Sequence, residues 1–164
     1  MQKIDDSSDF DRTWNEFKVG FGVTSGNYWL GNEQIHQLTK DDGYQLRVDI
    51  VSAAGPSAQQ TSFWAEYTTF SVGDEASNYQ VSIDGYSGDA GDPVGGINGS
   101  PFTSKDVDND DYDYGNCAEM YVGGFWHYNE CYGTCQPTGG VFICPPLPQE
   151  KTTLITVQMW LQCK

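Results

Sequence analysis

The feature that most constrains the fold is the segment 84–146, about sixty residues with little hydrophobic periodicity. It consists largely of Gly, Asp, Asn, Tyr and Pro, and it contains four of the chain's five cysteines. An irregular segment of that length within a compact domain is usually functional or disordered. Cysteines crowded among Gly and Pro are typical of disulfides in an oxidising compartment, with ordinary core thiols as the alternative. The cysteines therefore favour an ordered, cross-linked and functional loop region.

The composition indicates one compact, acidic domain. A length of 164 residues suits a single domain. Eight Lys and Arg against 23 Asp and Glu give a net charge of −15, which argues against binding to nucleic acid or to an anionic membrane surface. Five Trp, ten Tyr and eight Phe exclude a disordered acidic tail, since aromatic side chains dominate core burial. No apolar run approaches the length of a transmembrane helix, so we expect no membrane insertion.

The first forty residues predict two short helices. Four aromatic residues recur at the spacing of one helix face: Phe10, Trp14, Phe17 and Phe21. Ser8, with Asp11 three residues later, is a candidate capping box before this helix, which we expect to pack into the core. A second helix is predicted from Asn32, with Ile35 and Leu38 facing inward.

Four segments predict strands. Apolar and polar residues alternate over 44–50, 79–83 and 155–161, the period of a half-buried strand. Residues 63–72 are rich in aromatic and β-branched side chains, which also favour strands. The strands lie on both sides of the irregular segment, so we expect them to form the scaffold that supports it.

The highest density of charge lies within the irregular segment, where five carboxylates fall within eight residues: Asp106, Asp108, Asp110, Asp111 and Asp113. Like charges this close favour a neutralising cation, and carboxylates with backbone carbonyls suit the six to eight oxygen ligands of Ca²⁺. The EF-hand pattern fails, because its sixth position holds Asp111 instead of Gly and its twelfth holds Cys117 instead of Glu. The residues alone leave two interpretations open, a calcium loop of another type or a solvated acidic turn.

Catalytic motifs are absent, and we predict a protein that is not an enzyme. The chain has two histidines, and neither lies in an H-E-x-x-H motif. His127, beside Trp126, is either a ligand contact or a surface imidazole. Asn98-Gly-Ser100 is a sequon for N-glycosylation, whose use Pro101 should reduce.

The sequence carries, in order, the blocks DFDRTWNEFKVGFG, GNYWLGNEQIHQLT, YQLRVDI, YQVSIDGYSGDAGD, FTSKDVDND and GNCAEMYVGGFWHYNEC. Together they resemble the fibrinogen C-terminal domain, the recognition domain of ficolins, tachylectins, angiopoietins and fibrinogen. The resemblance implies a secreted α+β domain with a twisted, mainly antiparallel sheet, short helices and a long loop-rich calcium-binding subdomain. On this basis we expect one domain without the family's N-terminal subdomain. Helices and sheet would occupy 1–83, the calcium and ligand subdomain 84–150, and the closing strand 151–164.

The resemblance also implies a calcium site and a disulfide. The side chains of Asp108 and Asp110 would bind Ca²⁺, together with main-chain carbonyls at Tyr112 and Tyr114. Cys117 and Cys131 would form the family disulfide. Two further cysteines remain in the irregular segment, and pairing between Cys135 and Cys144 is the simplest expectation for them. Cys163 is then left over, and it is a candidate for a disulfide with a second chain. An oligomer would form through this cysteine or through a missing N-terminal region.

In lectin members of the family, acetylated sugars or acetyl groups bind beside this disulfide. Carried over, the contacts would come from Trp126, Cys131, Tyr132 and Phe142. The leading expectation is a secreted calcium-binding recognition domain of lectin type, which binds carbohydrate or acetylated ligands in innate immunity. The alternatives are a protein-binding extracellular or matrix module without sugar affinity, and a truncated domain that binds no ligand. The shortened segment after Phe142 lacks the family's tryptophan-bearing pocket wall.

Overall fold

The computed structural model describes residues 1–3, 9–53, 59–128, 131, 137–138 and 153–164. These residues form three α-helices and seven β-strands. The helices are α1 (Trp14–Val19), α2 (Asn32–Thr39) and α3 (Cys117–Met120). The strands are β1 (Gln2–Lys3), β2 (Phe21–Gly22), β3 (Tyr28–Trp29), β4 (Tyr44–Ala53), β5 (Thr61–Val72), β6 (Val81–Gly88) and β7 (Thr153–Cys163).

All seven strands lie in one antiparallel sheet with the order β2-β3-β1-β7-β4-β5-β6. Alternation along β4 directs its apolar residues to the core, where Leu46, Val48 and Ile50 are buried. The last strand, β7, pairs with β4 along its whole length, from Thr153 to Cys163. The predicted α+β class with an antiparallel sheet is confirmed.

The aromatic stripe of the first helix reaches the core, but the helix is shorter than its spacing predicts. Only Trp14 and Phe17 lie within α1; Phe10 precedes it and Phe21 belongs to β2. The N-cap is Thr13, whose backbone N–H and hydroxyl both donate to Glu16 Oε2 at 2.9 Å. Ser8 lies outside the described residues. The stripe therefore reflects burial in a common core more than a continuous helix.

The second helix begins at Asn32 as predicted, and its inward face is Ile35 and Thr39. Leu38 is 40% exposed, so the prediction that it faces inward is wrong. The reason is that Thr39 occupies the inward position, where its hydroxyl donates to Ile35 O and accepts from Val72 N–H. This bond attaches α2 to β5, and Leu38 is left at the edge of the contact.

The irregular segment 84–146 contains more regular structure than we predicted, since β6 continues into it as far as Gly88 and α3 lies near its middle. Aromatic side chains from this segment anchor it to the sheet side of the molecule. The ring of Phe102 packs 5.8 Å from that of Trp29 and 5.2 Å from that of Trp126, centroid to centroid. Thr103 and Phe125 exchange backbone hydrogen bonds of 2.9 and 3.0 Å. These contacts hold together the chain on either side of the aspartate-rich stretch 106–113.

Candidate functional site

The carboxylates of the acidic loop, residues 105–116, differ in their hydrogen-bond partners. Asp106 accepts a hydrogen bond of 2.7 Å from the backbone N–H of Trp14 and one of 2.8 Å from the Ser104 hydroxyl. The first of these satisfies a free N–H in the first turn of α1, ninety-two residues away in sequence. Asp106 is therefore a structural residue that joins the loop to the helix.

Asp110 organises the turn that follows. Its two carboxylate oxygens accept from the backbone N–H groups of Tyr112 at 3.1 Å and Cys117 at 3.0 Å. Asp108 Oδ1 in turn accepts from Asp110 N–H at 3.3 Å. Asp108 and Asp110 therefore lie side by side. Asp110 is half-buried, whereas Asp108, Asp111 and Asp113 are exposed.

The electrostatics of the pair are unfavourable for two anions. Partial desolvation and then the negative charge of Asp110 raise the pKa of the Asp108 carboxyl above its ordinary value. A bound cation would reverse this effect, because it stabilises both charged carboxylates. The pair is therefore a place where a cation would be stabilising.

Two asparagines hold the loop in shape, and sequence reasoning did not identify them. Asn109 donates from its side chain to Phe102 O at 2.8 Å, and Asn116 donates to Ser104 O at 2.9 Å. Asn116 also caps α3, because its Oδ1 accepts from Glu119 N–H at 3.1 Å. The position of Asn116 immediately before a short helix was the available signal for its cap. These bonds leave the Asp108 and Asp110 side chains on a preformed loop.

Cys117 and Cys131 are joined in a disulfide, with Cα atoms 5.5 Å apart and both residues buried. Because Cys117 N–H also donates to Asp110, the disulfide and the acidic loop share one attachment point. Cys131 has a positive φ of 57°, a strained conformation for a residue other than Gly.

Trp126 and His127 are both buried, at 1% and 4% exposure. The indole N–H of Trp126 donates to Tyr79 O at 2.7 Å, and its ring packs against Trp29 and Phe102. Trp126 is therefore a core residue that also lines an apolar cavity, and its ligand contact stays a prediction. His127 is not the surface imidazole considered above. Burial lowers its pKa to about 4, with smaller opposing effects from Gly123 O, 3.2 Å from Nε2, and from the charge of Asp108.

The sequence and fold of this chain match those of known proteins. Residues 1–143 match the family described as "Fibrinogen beta and gamma chains, C-terminal globular domain". The chain belongs to this fibrinogen C-terminal domain family. It is 34% identical over 174 aligned residues to Fibrinogen-like protein 1 of Rattus norvegicus, across 98% of this chain and 52% of the relative.

Two solved structures extend the likeness of this fibrinogen-like domain to the fold. The fibrinogen-like globe domain of human ANGPTL6 matches with a TM-score of 0.81 at 28% identity, across 99% of this chain and 76% of that chain. The lamprey fibrin D-dimer, complexed with the peptide ligand Gly-His-Arg-Pro-amide, matches with a TM-score of 0.78 at 27% identity, across 98% and 59%. The chain spans about half of the length of its curated relatives, or less.

The predicted ligand residues of the fibrinogen-like domain are only partly described. Tyr112 and Tyr114 lie two and four residues after Asp110, and their rings pack edge to face with centroids 5.5 Å apart. Tyr132 and Phe142 lie outside the described residues, as do Cys135 and Cys144. Their roles stay predictions.

The sequon and the remaining cysteine are described. Asn98 is exposed, and its Oδ1 accepts from Ile83 N–H at 3.0 Å. Glycosylation of Asn98 stays a prediction. Among the described cysteines, Cys163 is unpaired and exposed. Within the described ranges, no helix has the length and hydropathy needed to cross a membrane.

Proposed function

We propose that this fibrinogen-like domain is a secreted recognition module in which Ca²⁺ stabilises the loop beside the Cys117–Cys131 disulfide. The observation that carries the proposal is the position of Asp110, which lies next to Asp108 and accepts a hydrogen bond from Cys117 N–H. Ordering of the acidic loop is thereby coupled to ordering of the disulfide. The disulfide itself supports secretion, because disulfides persist in oxidising compartments.

The donor set fits Ca²⁺ in its chemistry. In the described part of the chain, no group of three or more His, Cys, Asp and Glu side chains forms a metal site. A cation at Asp108 and Asp110 would therefore complete its shell with backbone carbonyls, for which Tyr112 and Tyr114 are the candidates, and with water. Carboxylates, carbonyls and water are the oxygen ligands that Ca²⁺ prefers, whereas Zn²⁺ prefers nitrogen and sulfur.

Calcium binding is tested by calorimetric titration and thermal unfolding with and without Ca²⁺. Extracellular calcium modules bind with dissociation constants of about 10⁻⁴ to 10⁻³ M. At one hundred times the dissociation constant, Ca²⁺ should stabilise the domain by about 2.7 kcal/mol. Asp108→Asn should abolish this stabilisation, and Asp113→Asn, which removes the same charge from the same loop, should retain it. Equal stabilisation of the wild type and Asp108→Asn would contradict the proposal.

The partner that we favour is an extracellular protein or peptide. The relatives that support this are fibrinogen-like domains, and the lamprey fibrin D-dimer is described with a peptide ligand. Binding of carbohydrate or acetylated ligands is the second candidate, which rests on the resemblance to lectin members and on Tyr132 and Phe142. Catalysis is not proposed, because the loop contains no nucleophile paired with a base among the described residues.

The two partner classes are separated by one pair of titrations, with Gly-His-Arg-Pro-amide and with N-acetylglucosamine, each in Ca²⁺ and in EDTA. Saturable, calcium-dependent binding of the peptide supports the protein-binding module. Binding of the sugar alone supports the lectin. Binding of neither probe, together with no response to Ca²⁺, would leave a domain without recognition function and refute the proposal.

A further inference from the structure

Two charges of the acidic loop are used neither by the fold nor by the proposed calcium site. Asp106 is bound to α1, and Asp108 and Asp110 are the candidate calcium ligands. Asp111 and Asp113 are exposed, and among the described residues no hydrogen bond or ion pair holds either of them. Their carboxylates can therefore be contacted by a partner molecule without the loss of a structural bond.

Each of these two aspartates is followed by a tyrosine. Tyr112 is half-buried, whereas Tyr114 is 86% exposed. Within the described part of the chain, the ring of Tyr114 contacts the ring of Tyr112, and no hydrogen bond holds its hydroxyl or its backbone. The next residue, Gly115, also borders open space, because a Cβ added there would have only Met120 Sδ within 4 Å. The phenol of Tyr114 is therefore a nucleophile that another protein can reach.

Two properties together distinguish Tyr114 from the other described tyrosines, namely exposure and a carboxylate immediately before it. Tyr128 and Tyr86 are exposed, at 47% and 37%, but follow His and Gly. Tyr67 follows Glu66 but is buried in the core. Among the described tyrosines, Tyr114 alone is exposed and follows an acidic residue.

We propose that Tyr114 is a site of tyrosine O-sulfation, and that Asp111 and Asp113 are the residues by which the modifying enzyme recognises it. The donor is an activated sulfate, a mixed anhydride of sulfate and phosphate. The phenol oxygen of Tyr114 attacks the sulfur, and the bond from sulfur to the bridging phosphate oxygen breaks. The phosphate leaves with the electron pair of that bond, and the phenol proton passes to a base of the enzyme. The inference rests on the secretion that the proposed function includes.

The charge around Tyr114 suits an enzyme of this kind. An enzyme that binds a strongly anionic donor needs a cationic active site, which attracts a substrate loop of opposite charge. Residues 106–126 contain six carboxylates and no Lys, Arg or His. Calcium bound at Asp108 and Asp110 would leave the charges of Asp111 and Asp113 in place. The acidic flank of Tyr114 therefore persists in the calcium-loaded domain.

The Cys117–Cys131 disulfide favours sulfation over phosphorylation of the same oxygen. Disulfides form and persist in the secretory pathway, where proteins on their way out of the cell are sulfated. A phosphoryl group has a similar shape and would be transferred to the same phenol oxygen. Phosphorylation of Tyr114 is therefore the rival outcome of the test.

The test is metabolic labelling of the chain with radioactive sulfate during secretion from animal cells. The secreted protein is treated with a glycosidase, because sulfated carbohydrate at Asn98 would also carry label. We expect tyrosine O-sulfate in the wild type and its loss in Tyr114→Phe. Tyr128→Phe removes an exposed phenol without an acidic flank and should keep the label. Parallel labelling with radioactive phosphate should leave Tyr114 unlabelled.

A matched pair of aspartate variants separates recognition by the enzyme from calcium binding. Asp113→Asn should reduce the label and retain the stabilisation by Ca²⁺, whereas Asp108→Asn should retain the label and lose that stabilisation. Absence of label in the secreted wild type, label that survives Tyr114→Phe, unchanged labelling of Asp113→Asn, or phosphate in place of sulfate would each overturn the inference. A normal response to Ca²⁺ in the same samples shows that such a failure does not extend to the proposed calcium site. The same comparison with purified chain, Golgi membranes and the activated sulfate donor tests sulfation independently of secretion.

Discussion

Acidification should destabilise this domain through His127. Burial lowers the pKa of His127 to about 4 in the folded chain, from an ordinary value of 6.5 that the unfolded chain should retain. Between these two values the unfolded chain binds one proton more than the folded chain. Stability is therefore fully present above about pH 6.5 and is lost as the pH falls toward 4.

The magnitude follows from the two pKa values. At pH 5 the unfolded histidine is almost fully protonated and the folded one is not, so His127 by itself should make the free energy of unfolding lower at pH 5 than at pH 7 by about 2 kcal/mol. For a chain of this size the loss corresponds to about 4–8 °C in Tm. Asp108, whose pKa is raised, acts in the opposite sense at lower pH, so the comparison stays at pH 5 and above.

The assay is urea unfolding followed by tryptophan fluorescence at pH 7 and pH 5, with EDTA present to remove any contribution from bound metal. His127→Gln keeps a donor for Gly123 O but cannot titrate, so the difference between the two pH values should be smaller in this variant than in the wild type by about 2 kcal/mol. His36→Gln is the control for removing a histidine elsewhere. The reasoning is refuted if His127→Gln shows the same loss between pH 7 and pH 5 as the wild type.

Three further changes test the packing around the site, each by chemical unfolding. Cys117→Ser opens the loop closed by Cys131 and should lower the free energy of unfolding by about 3 kcal/mol; an unchanged free energy of unfolding would contradict this. Gly124→Ala should cost about 1–3 kcal/mol, because its Cβ would lie 2.5 Å from the Phe17 ring; an unchanged midpoint would show that the ring moves freely. Thr13→Ala removes the capping box of α1 and should lower the free energy of unfolding by about 1 kcal/mol. Thr13→Ser keeps the hydroxyl and should retain most of this stability.

The strands were the most predictable part of the fold. The alternation over 44–50 predicted β4, and in the structure this strand runs from Tyr44 to Ala53. The aromatic spacing predicted the buried residues of the first helix but not its length. Phe10 and Phe21 reach the same core from outside α1, and a helical spacing does not distinguish the two arrangements.

The candidate site was predictable in location and only partly in detail. The density of Asp indicated the loop. Without the resemblance, however, the sequence could not show which of the five aspartates are structural and which are candidate calcium ligands. Asp106 is bound to Trp14, ninety-two residues earlier, whereas Asp110 is bound to Cys117. Likewise, nothing local to His127 shows that it is buried, because the residues that exclude water from it come from contacts formed only on folding.

Local pattern and composition by themselves indicated an acidic chain, its long strands and the loop where charge is concentrated, and the resemblance of its sequence blocks indicated the family and the α+β class. These properties depend on residues close together in the chain, or on many residues counted together. Only the tertiary structure decided which aspartates are structural and that Trp126 and His127 are buried. Each of these depends on distant segments meeting in space, and pairing and burial acquire their energies only there.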